Sequence, residues 1–315
     1  MLDKEAKDFL DAVRLANRPD YATMTPKEAR KLYKATRGAV TPEPPQMSEV
    51  DNIAAPGPHG PIPLRYYRPA GVGKREVLPV LVFYHGGGWV IGDLDTHDVV
   101  CRTLSNESRC AVVSVDYRMG PEYKFPMGID DAYAAVKWVA GEAKTLRIDP
   151  DRVAVGGDSA GGNLATVVAL LARDVEDAPK IAYQLLIYPA TDMYMTTESH
   201  RKFGEGHLLT RSSMDWFQEQ YLTGPEDRDD WRASPLRAED LAGLPPAYVL
   251  IAGNDPLRDE GEAYAMALKA AGVSVVLREF EGQIHGFITL GKVVPQAGQA
   301  MAEMGVALKL AFGQG

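Results

Sequence analysis

Among the residues of this chain that could do chemistry, one serine stands in an unusual setting. It lies in Val155-Gly156-Gly157-Asp158-Ser159-Ala160-Gly161-Gly162, after the apolar run Val153-Ala154-Val155 and before Asn163–Leu171, which has helical character. A Gly-x-Ser-x-Gly turn between a strand and a helix is the context of a nucleophile elbow. The serine there is held in a strained backbone conformation, and flanking glycines let strand and helix approach closely enough to tolerate it. Such a hydroxyl can attack an acyl carbonyl once a base withdraws its proton. Gly156 and Gly161 also have phosphate-loop spacing, but Gly162-Asn163 follows where Lys-Ser or Lys-Thr is required, which excludes that loop. The turn alone leaves a purely structural role open, because small-residue turns join strands to helices in many α/β domains.

A second stretch supplies what a developing oxyanion would need. The strand Val80–Tyr84 runs directly into His85-Gly86-Gly87-Gly88-Trp89, and three successive glycines let several backbone N–H groups turn toward one point. The base must come from six histidines. His285 lies in the loop Glu281-Gly282-Gln283-Ile284-His285-Gly286-Phe287, directly after the last expected strand. His85 belongs to the glycine turn and His97 opens a helix, while His59, His200 and His207 lack a strand-end context. An orienting acid follows the strand Tyr248–Gly253 as Asn254-Asp255-Pro256-Leu257, which makes Asp255 the candidate. Asp259 and Glu260 fall on the next helix, as a solvated face or as partners of its dipole. The chain order Ser159, Asp255, His285 matches that of α/β-hydrolases and differs from the chymotrypsin and subtilisin orders.

Elements that could hold these groups follow from periodicity. Strands are expected near 48–55, 61–68, 79–84, 111–117, 153–157, 182–188, 247–252 and 273–279. The first two leave no room for a helix between them, so they form an antiparallel edge pair. The rest are mostly separated by helical stretches, which implies parallel strands with right-handed crossovers and ligands at the strand carboxyl ends. At the front, Leu2, Ala6, Phe9, Leu10 and Val13 recur at helical spacing. A second helix is announced by the capping box Thr25-Pro26-Lys27-Glu28 and is expected to stop at Gly38. The stiff Thr41-Pro42-Glu43-Pro44-Pro45 then marks the entry to the main unit. Between 190 and 245 lies a connection too long for a simple crossover, rich in Met193, Met195, Phe203, Leu208, Leu209, Met214, Trp216, Phe217 and Tyr221. Most of these are expected to pack a small core of the insertion's own. The organisation expected is N-terminal cap helices over 1–45, a core over 46–189 and 246–315, and a cap insertion over 190–245.

His85-Gly-Gly-Gly-Trp89 together with Gly157-Asp-Ser-Ala-Gly-Gly162 resembles the hormone-sensitive-lipase-like esterases of the α/β-hydrolase superfamily. The resemblance runs from the His-Gly-Gly-Gly strand to the end of the chain. Asp116-Tyr-Arg118 and Pro121-Glu122 are similar to the family's DYRLAPE stretch, with Met119-Gly120 in place of Leu-Ala, and are expected to be structural. Tyr188-Pro189 and the His285-Gly-Phe287 triplet also fit the family pattern. The resemblance implies an α/β-hydrolase fold, with a mostly parallel eight-stranded sheet flanked by helices under a helical cap. It implies a Ser159–His285–Asp255 triad, an oxyanion hole from the N–H groups of Gly87, Gly88 and Ala160, and no cofactor. Trp89, Tyr188, Leu208, Met214 and Phe217 are the candidate pocket residues. Short- to medium-chain acyl esters are the implied substrates, and a homodimer through the last strand is an expectation from the resemblance alone. Two alternatives stay open: a ligand-binding protein on the same fold, as in the plant gibberellin receptors that lack the catalytic histidine, or an amidase or lactonase using the same machinery.

Bulk composition bounds the partners. With 43 acidic against 34 basic residues the formal charge is -9, which argues against nucleic acid and favours a small neutral ester. The two cysteines, Cys101 and Cys110, show no metal-ligand spacing with the histidines and are expected as buried free thiols. That, with no apolar run near the ~18 residues of a membrane span, sets cytoplasmic as the expected location.

Overall fold

A computed structural model describes residues 1–176 and 178–314. Its frame is one eight-stranded sheet: β1 (Glu49–Ala55), β2 (Ile62–Arg68), β3 (Leu78–Tyr84), β4 (Ala111–Val115), β5 (Ile148–Asp158), β6 (Ile181–Ile187), β7 (Ala247–Asn254) and β8 (Val275–Ile284). The spatial order is β1-β2-β4-β3-β5-β6-β7-β8. β2 pairs antiparallel with both β1 and β4, and every other pairing is parallel. Its central strands β3, β4, β5 and β7 are apolar at successive positions because both faces are covered.

The ten helices are α1 (Lys4–Leu15), α2 (Pro26–Val40), α3 (Asp98–Ser108), α4 (Met127–Gly141), α5 (Ala143–Leu146), α6 (Ala160–Asp174), α7 (Glu198–Phe203), α8 (Arg211–Tyr221), α9 (Arg258–Ala270) and α10 (Gln296–Ala311), among the described residues. Alternation along each strand sorts the core into two layers. Val80 and Val82 of β3, Val153 and Val155 of β5, and Val249 and Ile251 of β7 pack with Ile129 and Val136 of α4, Leu164 and Val168 of α6 and Leu268 of α9. Their neighbours Leu81, Phe83, Ala154, Tyr248 and Leu250 face the other way, onto Val100 and Leu104 of α3 and Met301, Met304 and Leu308 of α10. The strand carboxyl ends therefore emerge together at one edge of a rigid, two-sided core. No helix among the described residues is long and apolar enough to cross a membrane.

Above that edge lie the N-terminal helices and the segment after β6. Thr25 and Glu28 form the expected capping box at the start of α2. Gly38 does not stop α2, which continues to Val40. A mid-helix glycine costs only ~1 kcal/mol, and buried Val40, whose carbonyl accepts from Lys292 N–H at 2.9 Å, anchors the last turn. Met195, Met214 and Leu209 of the insertion form a small cluster with Leu257, whereas Met193 and Tyr221 join the main core. Trp216 and Phe217 of α8 pack on Ala29 of α2, on Val90 and Ile91 beside the glycine turn, and on Tyr21, Met24 and Tyr33. Asp20 joins the two pieces, its carboxylate accepting from Thr210, Ser212 and Ser213 hydroxyls at 2.7, 2.8 and 2.9 Å.

Candidate active site

Ser159 sits where β5 ends and α6 begins, with φ 57° and ψ -119°. This strained geometry depends on the glycines beside it. A Cβ on Gly157 would lie 2.3 Å from the Tyr84 carbonyl oxygen, and one on Gly161 would lie 1.9 Å from it. No side chain fits either position, so the sharp turn and its small residues are one requirement. The Ser159 N–H donates to Ile187 O at 2.9 Å, pinning the elbow to β6.

His285 and Asp255 arrive from neighbouring strands. His285 Nε2 lies 2.9 Å from Ser159 Oγ, and its Nδ1 lies 2.7 Å from Asp255 Oδ2. The other carboxylate oxygen of Asp255 accepts from Leu257 N–H at 2.8 Å, so the fully buried acid cannot rotate away. Tyr188 packs its ring 4.7 Å from the imidazole and is itself completely buried. It supports His285 from behind and does not reach the cavity wall, which corrects its assignment as a pocket residue.

Gly87 (φ +123°) and Gly88 (φ +58°) form the turn after β3, and Ala160 is the first residue of α6. The N–H at the start of a helix has no intrahelical partner and carries the positive end of its dipole. Gly86 N–H donates to Asp158 Oδ1 at 2.9 Å, and His97 Nε2 is 3.3 Å from the same oxygen. Burial would raise the Asp158 carboxyl, but the charge and N–H of His97 together with the Gly86 N–H outweigh it and hold the group below its ordinary range. Asp158 thus ties the glycine turn to the elbow. In the sequence Asp158 is only one residue of the elbow motif and His97 only the opening of a helix, so neither reveals this link. The signal was an acid adjoining the nucleophile in a turn that packs on a second glycine loop.

Beneath the turn, burial and the neighbouring His97 bring His85 down to about 4, and its ring stacks 4.5 Å from Tyr117. Arg118 and Glu122 are held in ion pairs: Arg118 Nη1 donates to both carboxylate oxygens of Asp131 at 2.7 and 2.9 Å. Glu122 pairs with Arg30, whose Nε and Nη2 also donate to Val90 O and Gly120 O. Asp116 is pushed up to about 6 by burial and by Asp93 and Asp95.

Ser159 and His285 open into a cavity of about 140 Å³ walled by Trp89, Met193, Met195, Leu208, Met214, Phe217 and Leu257, among others. An apolar void of roughly 150 Å³ holds a benzene-sized guest. Trp89 is fixed by stacking on Tyr221, with ring centres 4.7 Å apart and planes 5° from parallel. Phe217 presses on the oxyanion turn, since a Cβ on Gly88 would fall 2.3 Å from its ring. Glu260, expected on a solvated face or as a partner of the helix dipole, lies in the first turn of α9 and is buried on this wall. Its Oε1 accepts from Thr191 N–H at 2.6 Å and its Oε2 lies 3.2 Å from His200 Nε2. Burial raises its carboxyl despite these partners.

Comparison with known proteins shows the family of the fold. Residues 81–289 match the family model described as the alpha/beta hydrolase fold. The chain is 50% identical over 254 residues to the carboxylic ester hydrolase LipN of Mycobacterium tuberculosis, covering 79% of this chain and 67% of that protein. It is 38% identical over 287 residues to the ethyl acetate hydrolase of Pseudomonas putida, covering 90% and 89%. Among solved structures it is similar to an ester hydrolase from the metagenome of Lake Arreo. The TM-score is 0.96 at 43% identity, over 99% of this chain and 100% of that one.

Proposed function

The chain belongs to the hormone-sensitive-lipase-like carboxylesterases of the α/β-hydrolase superfamily, and from that premise we propose that it hydrolyses short- to medium-chain acyl esters through Ser159, His285 and Asp255. The observation that carries the reading is the continuous set of hydrogen bonds from Ser159 Oγ through His285 to Asp255 beside a small, mostly apolar cavity. His285 Nε2 takes the serine proton as Oγ attacks the ester carbonyl. The carbonyl oxygen, now an oxyanion, receives the N–H groups of Gly87, Gly88 and Ala160. His285 then protonates the departing alcohol, and water, activated by the same nitrogen, releases the acid from the acyl-enzyme. Asp255 keeps the proton on Nδ1 and stabilises the imidazolium.

A purely ligand-binding role would leave the 2.9 Å serine–histidine contact without use. We assign residues 1–45 and 190–245 to the cap, on the strength of the Asp20 hydrogen bonds and the shared Trp216 and Phe217 cluster. A reducing, cytoplasmic setting is supported by Cys101 and Cys110, both buried and free, with the Cys110 thiol pushed up to about 12 by burial. A homodimer through β8 is supported by half-exposed Val276 on that edge strand. Rates on p-nitrophenyl esters from acetyl to dodecanoyl, for wild type beside Ser159→Ala, test the function. Serine-dependent turnover should be greatest at short and medium chains. A higher kcat/KM on dodecanoyl than on butanoyl esters contradicts the chain-length reading, and turnover that survives in Ser159→Ala contradicts the nucleophile.

A further inference from the structure

The cavity wall built by the N-terminal segment carries two guanidinium groups, those of Arg18 and Arg37. Neither has a carboxylate within ion-pair distance among the described residues. Each is steadied by a tyrosine that lines the same cavity: Arg37 Cζ is 4.3 Å from the Tyr33 ring centre, and Arg18 Cζ is 4.9 Å from that of Tyr21. Arg37 Nη1 donates to Thr289 Oγ1 at 2.9 Å, while its Nε is buried with no acceptor. Arg18 donates through Nη2 to the Tyr21 hydroxyl. A guanidinium has five N–H donors in a planar fork suited to a carboxylate, so most of this capacity is unspent.

The acids on the same cavity do not spend it. Asp158 is engaged by Gly86 N–H and His97, Asp192 by Arg237 at 3.1 Å, and Glu260 by Thr191 N–H and His200. Arg37 also stands close to the chemistry. Thr289, which accepts from Arg37, donates its own hydroxyl to Gly286 O at 2.9 Å, next to His285. Both guanidinium groups are only partly exposed, and a partly desolvated cation without a counter-ion is stabilised when a ligand brings the anion.

We propose that this wall binds a carboxylate on the substrate, so that the enzyme favours short esters carrying one, such as a half-ester of a small dicarboxylic acid or an acyl ester of a hydroxy acid. The inference rests on the carboxylesterase reading and adds the substrate class. It does not conflict with the overall charge of -9: surface charges beyond ~10 Å are screened, whereas two guanidinium groups inside the cavity act at contact. Neutral esters still reach Ser159, but an anionic end gains charge-assisted hydrogen bonds.

The test compares kcat/KM within matched pairs, so that general losses cancel. Monoethyl succinate against ethyl butanoate places the carboxylate on the acyl side, and 4-acetoxybenzoate against 4-acetoxybenzamide places it on the alcohol side. Wild type should prefer the charged member of at least one pair by about tenfold or more, and Arg37→Gln and Arg18→Gln should each reduce that ratio about 10-fold through KM. Arg37→Lys should restore part of it, and added salt should weaken it. A wild-type ratio of one or below in both pairs overturns the proposal. So does a parallel fall of both members in Arg37→Gln, which would mean that Arg37 only holds Thr289. Calorimetric titration of Ser159→Ala with the charged member of each pair, monoethyl succinate and 4-acetoxybenzoate, reads the site without turnover. Absence of binding there overturns the proposal, while binding without any wild-type turnover overturns the carboxylesterase reading alone.

Discussion

Gly87→Val probes the proposed oxyanion turn at its most constrained point. Gly87 has φ +123°, a region L side chains rarely enter, and an added Cβ would lie 2.0 Å from Ile91 O and 3.0 Å from Ile91 Cγ1. Carbon–oxygen contacts are comfortable at ~3.3 Å and beyond, so turn or carbonyl must move by roughly 1 Å. The movement cannot stay local, because Gly87 O itself accepts from Val90 N–H at 3.1 Å and Ile91 N–H at 2.9 Å. Displacing one oxyanion donor costs about 10²- to 10³-fold in rate, or about 2.7–4 kcal/mol of transition-state stabilisation. A misplacement of ~1 Å alone can cost about 10²-fold. The expected result is a kcat on p-nitrophenyl butanoate at least ~10²-fold below wild type, with a smaller change in KM. Circular dichroism and thermal unfolding establish that the variant is folded. A folded Gly87→Val protein with kcat within about threefold of wild type refutes the placement of the oxyanion hole.

Other perturbations separate the remaining parts. Asp255→Asn should cost ~10⁴-fold in kcat, the loss seen when a triad acid no longer fixes the histidine tautomer, and a loss below about tenfold would remove Asp255 from the triad. Asp20→Ala should raise KM and lower Tm by ~2–4 °C for about 1 kcal/mol, because three hydroxyls of the insertion lose their common acceptor. An unchanged KM would mean that the cap does not depend on this tether. Asp116 is pushed up to about 6, so the folded state holds its proton more tightly than the unfolded one, and stability falls as pH rises from about 4 through 6. Asp116→Asn should therefore raise Tm at pH 8 and lose that advantage below pH ~4. A constant offset across this range would refute the assignment.

Much of this arrangement was legible in the sequence because glycine, strand periodicity and chain order act locally. The elbow announces itself since only small residues fit beside Tyr84 O, and the sheet since β3, β4, β5 and β7 are apolar on both faces. What the sequence hid depends on long-range contact. Tyr188 follows β6 in a motif that borders the nucleophile, but its direction, behind His285 and away from the cavity, is set by packing against Phe287 as well. Glu260 looks like an ordinary first-turn acid of α9, and only the return of His200 and Thr191 buries it. Gly38 carries a stop signal that the anchoring of Val40 overrides. The aromatic residues of the insertion read as a core of their own, whereas their partners Ala29, Tyr21 and Tyr33 lie nearly two hundred positions away, as the joint N-terminal cluster requires. The Arg18 and Arg37 pair has no sequence spacing that would draw attention, since what sets it apart is that no carboxylate among the described residues pairs with either.

The most direct measurement is covalent. Stoichiometric treatment with diethyl p-nitrophenyl phosphate, followed by intact mass and peptide mapping, should find one diethylphosphoryl group, on Ser159, with esterase activity lost in proportion. Ser159→Ala should take no label and show no turnover. A label on any other residue, or turnover that persists in a fully labelled protein, would contradict the account.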